Sequence, residues 1–171
     1  MTVRYSAQMI LKKSYKLFNK NGLDNLKVYT ITHACHCSTT PIYYSFKSQK
    51  GLQKAVLELA YHDFEEKLAT EVKAEEVQFS NHEPYWYFYH VLLSCPGLVK
   101  EVSVNNKQVI RTLAEISQNY FPDNLLSTLG ANILLVGIAL NFKERSNLSF
   151  LTFSNVVENL LRNLKRNIED V

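Results

Sequence analysis

Apolar side chains recur along this chain at spacings of three and four, the period of helices that bury one face. In MILKKSYKLFNKNG, Met9, Ile10, Leu11, Tyr15, Leu17 and Phe18 follow that period, and Asn21-Gly22 supplies a helix stop. A short second helix is expected over residues 27–34, with Val28, Ile31 and Ala34 on one face. Cys35-His36-Cys37 then forms a corner. Ser38 is placed to cap a third helix carrying Ile42, Tyr43 and Phe46. Pro41 fits within its first turn, where backbone N–H groups have no intrahelical partner.

A longer helix is predicted from near Ser48, with Leu52, Val56, Leu59, Tyr61 and Phe64, running into the charged stretch EEKLATEVKAEE. Breaks fall at residues 81–84, at Pro96-Gly97 and at Pro122. Between them lie the aromatic run YWYFYHVLL (85–93) and an amphipathic segment over about 106–120, followed by two long helices over about 123–143 and 149–169. No alternating strand pattern competes, and neither a repeat nor a low-complexity tract is present. The expected fold is all-α: a three-helix N-terminal domain over 1–50, then a helical bundle over 51–171.

Charge sharpens that division. The formal net charge is +3, but residues 1–54 hold nine Lys/Arg against one acid, Asp24, a charge of +8. The other 117 residues hold ten basic and fifteen acidic side chains, a charge of −5. A basic front end attached to an acidic remainder suits a polyanionic partner. The longest apolar stretch, residues 133–140 with Gly137 inside it, falls short of the roughly 20 residues that cross a bilayer. Arg4, Gln8, Lys12 and Lys13 leave no apolar signal region near the N-terminus. Three cysteines, two of them one residue apart, do not form a disulfide framework. The expected location is the cytoplasm, with no membrane partner.

Two short helices joined by a turn of three or four residues make a helix-turn-helix, whose second helix enters the DNA major groove. Here the corner is HACHC, with four potential metal ligands in five positions. A metal site would need thiolates and imidazole to converge at about 2.0–2.3 Å. CxC with flanking His is not a zinc-finger spacing, and Cys95, His62, His82 and His90 provide no second ligand pair. Cys packs as a small apolar residue, and His tolerates the left-handed backbone that such corners use. The corner is therefore expected to be structural, without metal or cofactor. A metal- or thiol-responsive variant using Cys35 and Cys37 is the alternative.

The stretch ILKKSYKLFNKNGLDNLKVYTITHACHCSTTPIYYSFKSQKGL (10–52) resembles the DNA-binding domain of TetR-family transcriptional regulators. The likeness is carried by Ile10, Leu17-Phe18, Gly22, Val28, Ile31, Ser38, Ile42-Tyr43, Phe46, Ser48 and Leu52, and it covers about the first third of the chain. Cys35-His36 stands where the family usually has Ala-Gly, Lys27 where Thr is common, and Gln49 where a phosphate-contacting Lys is frequent. The resemblance implies a homodimeric regulator, most often a repressor, with a small-molecule site in its C-terminal bundle and a phosphate contact at Tyr43.

On that reading Lys27, Tyr43, Lys47, Lys50 and the start of the third helix at Ser38 position the DNA backbone, while Thr39, Thr40 and Tyr44 read base edges of a double-stranded operator. Helix 123–143 is apolar around most of its circumference, and the last helix carries two adjacent apolar stripes. Leu129, Ile133, Val136, Leu140, Val157, Leu161, Leu164 and Ile168 are accordingly expected at a four-helix dimer interface. Trp86, Tyr89 and His90 share a helical face and are candidates for an effector pocket. An enzyme with a basic helical head is disfavoured, since there is no Gly-rich phosphate loop, nucleophile elbow or HExxH.

Overall fold

The first helix shows how local signals set the architecture. α1 (Ala7–Asn21) begins at Ser6, whose hydroxyl accepts the Met9 N–H at 3.1 Å, and it ends where the Gly22 N–H (φ 75°) donates to the Phe18 carbonyl at 2.7 Å. A 3₁₀ turn at Leu23–Asn25 leads to α2 (Val28–Cys35) and α3 (Thr40–Phe46). Then follow α4 (Gln49–Ala74), α5 (Glu83–Leu93), α6 (Pro96–Ser103) and α7 (Lys107–Tyr120). This computed structural model describes residues 6–74 and 83–120, and among them there is no strand. Among the described residues, no helix is long and apolar enough to cross a membrane.

α1 is the hub, packing against α2, α3, α4 and α6. Its inward stripe, Ile10 and Phe18, is fully buried together with Leu26, Ile31, Ile42, Leu52, Val56 and Phe64. The same cluster continues through Leu92, Leu98 and Leu113. The division expected at 50/51 falls inside the first turn of α4, and the buried cluster runs across it. The helices expected over 123–143 and 149–169 fall outside the described residues.

Two details differ from the sequence reading. α3 starts at Thr40 with Thr39 in the cap position, not at a helix capped by Ser38, and no side chain bonds to its first N–H groups. Pro41 in that first turn removes one of the donors a cap would have satisfied. Pro96-Gly97, taken as punctuation, instead opens the eight-residue helix α6. Gly97 is needed there because α6 lies directly on α1: a Cβ at this position would stand 2.3 Å from a ring carbon of fully buried Phe18. The Gly97 N–H also donates to Asn19 Oδ1 at 3.3 Å.

Two more contacts fasten α6 to the end of α1 and the 3₁₀ turn that follows it. Lys100 donates to the Lys20 carbonyl. Buried Glu101 accepts the Leu23 N–H at 2.7 Å and the Asn106 side-chain amide at 2.8 Å. The carboxylate thereby satisfies a donor of the 3₁₀ turn that has no helical partner.

Candidate nucleic-acid interface

The HACHC corner closes α2 through its backbone. His36 adopts φ 55° and ψ 44°, its N–H donates to the His33 carbonyl, and the Cys37 N–H donates to the Thr32 carbonyl at 3.1 Å. This is a Schellman closure with His36 in the left-handed position. Lys13 reaches from α1 to the Ala34 carbonyl at 2.9 Å, placing a cation at the negative end of α2. Cys35 is buried against the core and Cys37 is half-buried beside it. Burial, followed by the neighbouring Cys37, pushes the Cys35 thiol up, which disfavours the thiolate that metal binding or thiol chemistry would use. Among the described residues, no three His, Cys, Asp or Glu side chains group closely enough to hold a metal ion.

With Val28, Ile31 and Cys35 turned inward, α2 presents Tyr29 and His33 outward, and His36 continues that face into the turn. Tyr29 is 69% exposed. The His33 and His36 rings stand 6.4 Å apart. Together with Thr30, Thr32, Cys37 and Ser38 they line an open groove of about 730 Å³. None of these except Ser38 was singled out from the sequence as a DNA-contact candidate. The available signal was the 29, 33, 36 spacing opposite the apolar face.

α3 repeats the arrangement over seven residues. Ile42 is fully buried, while Thr39, Thr40, Tyr43 and Tyr44 are exposed, Tyr44 to 82%. Lys47 closes the helix with φ 66°, its N–H donating to the Tyr43 carbonyl at 2.9 Å. Its ammonium donates to the Tyr44 carbonyl at 3.3 Å and lies 5.7 Å from the Tyr44 ring centre, which restrains an exposed aromatic and a cation together. Lys27, at the cap of α2, and Lys50, in the first turn of α4, are exposed. Gln49 accepts the Val28 N–H at 3.4 Å and so caps α2.

The remaining candidates stand apart from this surface. On α5, Tyr89 is buried and His90 is exposed, with their rings 5.8 Å apart. His90 joins Tyr87, Val91, Ser94, Lys67 and Glu71 around a groove of about 510 Å³. The side chain of Trp86 lies outside the described residues, as do Leu129, Ile133, Val136, Leu140, Val157, Leu161, Leu164 and Ile168.

Beside the α5 groove runs a polar network invisible in the sequence. Tyr15 of α1 donates to Asp63 Oδ2 at 2.7 Å, and Lys67 donates to the same oxygen at 2.9 Å. Lys67 also lies 3.7 Å from the Cys95 sulfur at the start of α6. Burial pushes the Tyr15 phenol well above its ordinary range, and the Asp63 carboxylate adds to that. Burial alone would raise Asp63, but the hydrogen bonds from Tyr15 and Lys67 outweigh it and hold the carboxyl below its usual value.

Comparison with protein families, with curated proteins and with solved structures finds no match to this chain.

Proposed function

We propose that the chain is a sequence-specific, double-stranded DNA-binding transcriptional regulator, most simply a repressor, in the manner of the TetR family. α2 and α3 would serve as a helix-turn-helix with α3 as the reading helix. The observation that carries this reading is the outward display of Thr39, Thr40 and Tyr44 around an inward Ile42, on a short helix joined by a tight corner to another, within the most basic third of the chain. A helix carried on α1 in this way can enter a major groove with its apolar side still buried. Tyr43, Lys27, Lys47 and Lys50 surround the reading positions with phosphate-binding chemistry.

One such head covers only a few base pairs, so paired heads are proposed, joined through the apolar stripes of 123–143 and 149–169 as a homodimer. A small-molecule effector fits the same reading. The α4–α5 groove has the volume of a ligand site and is lined by His90 and Tyr87 beside charged Lys67 and Glu71.

The roles within α3 are separable by mutation. Tyr43→Ala should weaken binding to all duplexes alike, by about 1 kcal/mol or more for a lost charge-assisted phosphate contact. Thr40→Ala should instead change which sequences are recovered from a random duplex pool. Equal losses on selected and random DNA in both variants would refute this assignment.

A further inference from the structure

We propose that the groove on α2 receives a backbone phosphate of duplex DNA, with His33 and His36 as donors whose protonation makes the binding pH-dependent. The inference rests on the DNA-binding reading above and extends it to a second helix. His33 occupies the last turn of α2 and His36 the left-handed residue that follows, so the corner that closes the helix also sets the two rings 6.4 Å apart. Both are exposed and both line the groove, alongside the hydroxyl-bearing Thr30 and Ser38. Ser38 lies directly before Thr39 and Thr40, so a phosphate here would be continuous with the surface assigned to base reading. In helix-turn-helix docking, the first helix is the one that crosses the backbone.

The charge surrounding the pair favours an anion. Among the described residues, no carboxylate lines the groove. Its titratable groups besides the two imidazoles are Tyr29 and Cys37, and Cys35 lies buried at the same corner. From α1, the helix packed on α2, Lys13 approaches the corner, held on the Ala34 carbonyl. α3 adds Tyr43, Tyr44 and, at its end, Lys47. The front end's one acid among residues 1–54, Asp24, sits on the 3₁₀ turn. A neutral imidazole offers one N–H and an imidazolium two, so a phosphate prefers the protonated ring. DNA binding should then take up protons, and affinity should rise as pH falls through the range in which imidazole changes charge.

The test is a titration of a labelled duplex with the full chain against stepped KCl, at about pH 6 and about pH 8. In the wild type, the log–log salt slope should be steeper at the lower pH by up to about 1.8 per chain, about 0.9 for each imidazole that meets a phosphate. The double variant His33→Gln, His36→Asn should show one slope at both pH values. Gln suits the exposed helix position and Asn accepts the left-handed backbone, so both replacements are compatible with the fold. His62→Gln, on the exposed side of α4, should retain the wild-type pH response.

A wild-type slope that does not change with pH, or a double variant that still steepens, would overturn this inference and leave the DNA reading standing. No duplex binding at either pH would remove both.

Discussion

His36 stands at φ 55° in the position where a glycine would be the easiest residue. An imidazole there closes α2 and at the same time places a ring in the groove, whereas a β-branched residue would resist that backbone. Gly51 shows the opposite dependence on size. A Cβ on it would stand 2.1 Å from the Phe46 carbonyl oxygen, because the first turn of α4 passes directly under the end of α3. On an ordinary helix, Gly→Ala stabilises by about 1 kcal/mol. Here the contact is with backbone, which cannot move without shifting α3, and the overpacking cost of about 1–3 kcal/mol should prevail. Gly51→Ala is therefore expected to lower Tm by roughly 2–4 °C for each kcal/mol lost, a shift readable by thermal denaturation. A raised Tm would show that α3 does not sit this close to α4.

At the scale of elements, α4 connects the two halves of the described chain. Its first residue, Gln49, caps α2, and further along Asp63 and Lys67 join α1 to the start of α6. Asp63 titrates below the usual carboxylate value. The stability it contributes is thus complete above about pH 3.9, the unfolded value, and is lost as pH falls through the lower folded value. Lys67 behaves in the opposite sense. Burial lowers it, but Asp63 and Cys95 together raise it, so its contribution persists below about pH 10.4 and is lost as pH rises through the folded value. Asp63→Asn should be less stable than the wild type at neutral pH, with the gap narrowing below about pH 4. Denaturant midpoints measured across that range check this, and a gap independent of pH would contradict the network's role.

These elements also show how far the sequence alone could be read. The C-terminal end of α1, the span of α2 within one residue, and α7 within one residue all followed from periodicity and stop signals that act locally. The inward set Ile10, Phe18, Ile31, Ile42 and Leu52 was legible for the same reason. α6 was not, because Pro-Gly marks a break equally well whether a helix has ended or is about to begin. Gln49 could be placed in sequence but not in role, since its bond to Val28 depends on how α4 meets α2. Tyr15 and Asp63 are 48 residues apart, and only the packing of α1 on α4 brings them together. The α2 groove needed the outward face and the turn in three dimensions, because its residues come from both.

For the whole molecule, the central physical feature is asymmetry: +8 on residues 1–54 and −5 on the rest, with the exposed residues of α2 and α3 in the positive part. A polyanion should approach by that end, while the acidic remainder discourages binding elsewhere. Counterion release then makes affinity steeply dependent on salt, by about −0.9 in log–log slope for each phosphate neutralised. The most direct measurement is the affinity of the purified full chain for duplex DNA as KCl is raised, together with the number of chains bound per duplex. The account predicts binding in dilute buffer, a slope reflecting several phosphates, and chains arriving in pairs. Failure to bind duplex DNA in dilute buffer, or an affinity indifferent to salt, would contradict it.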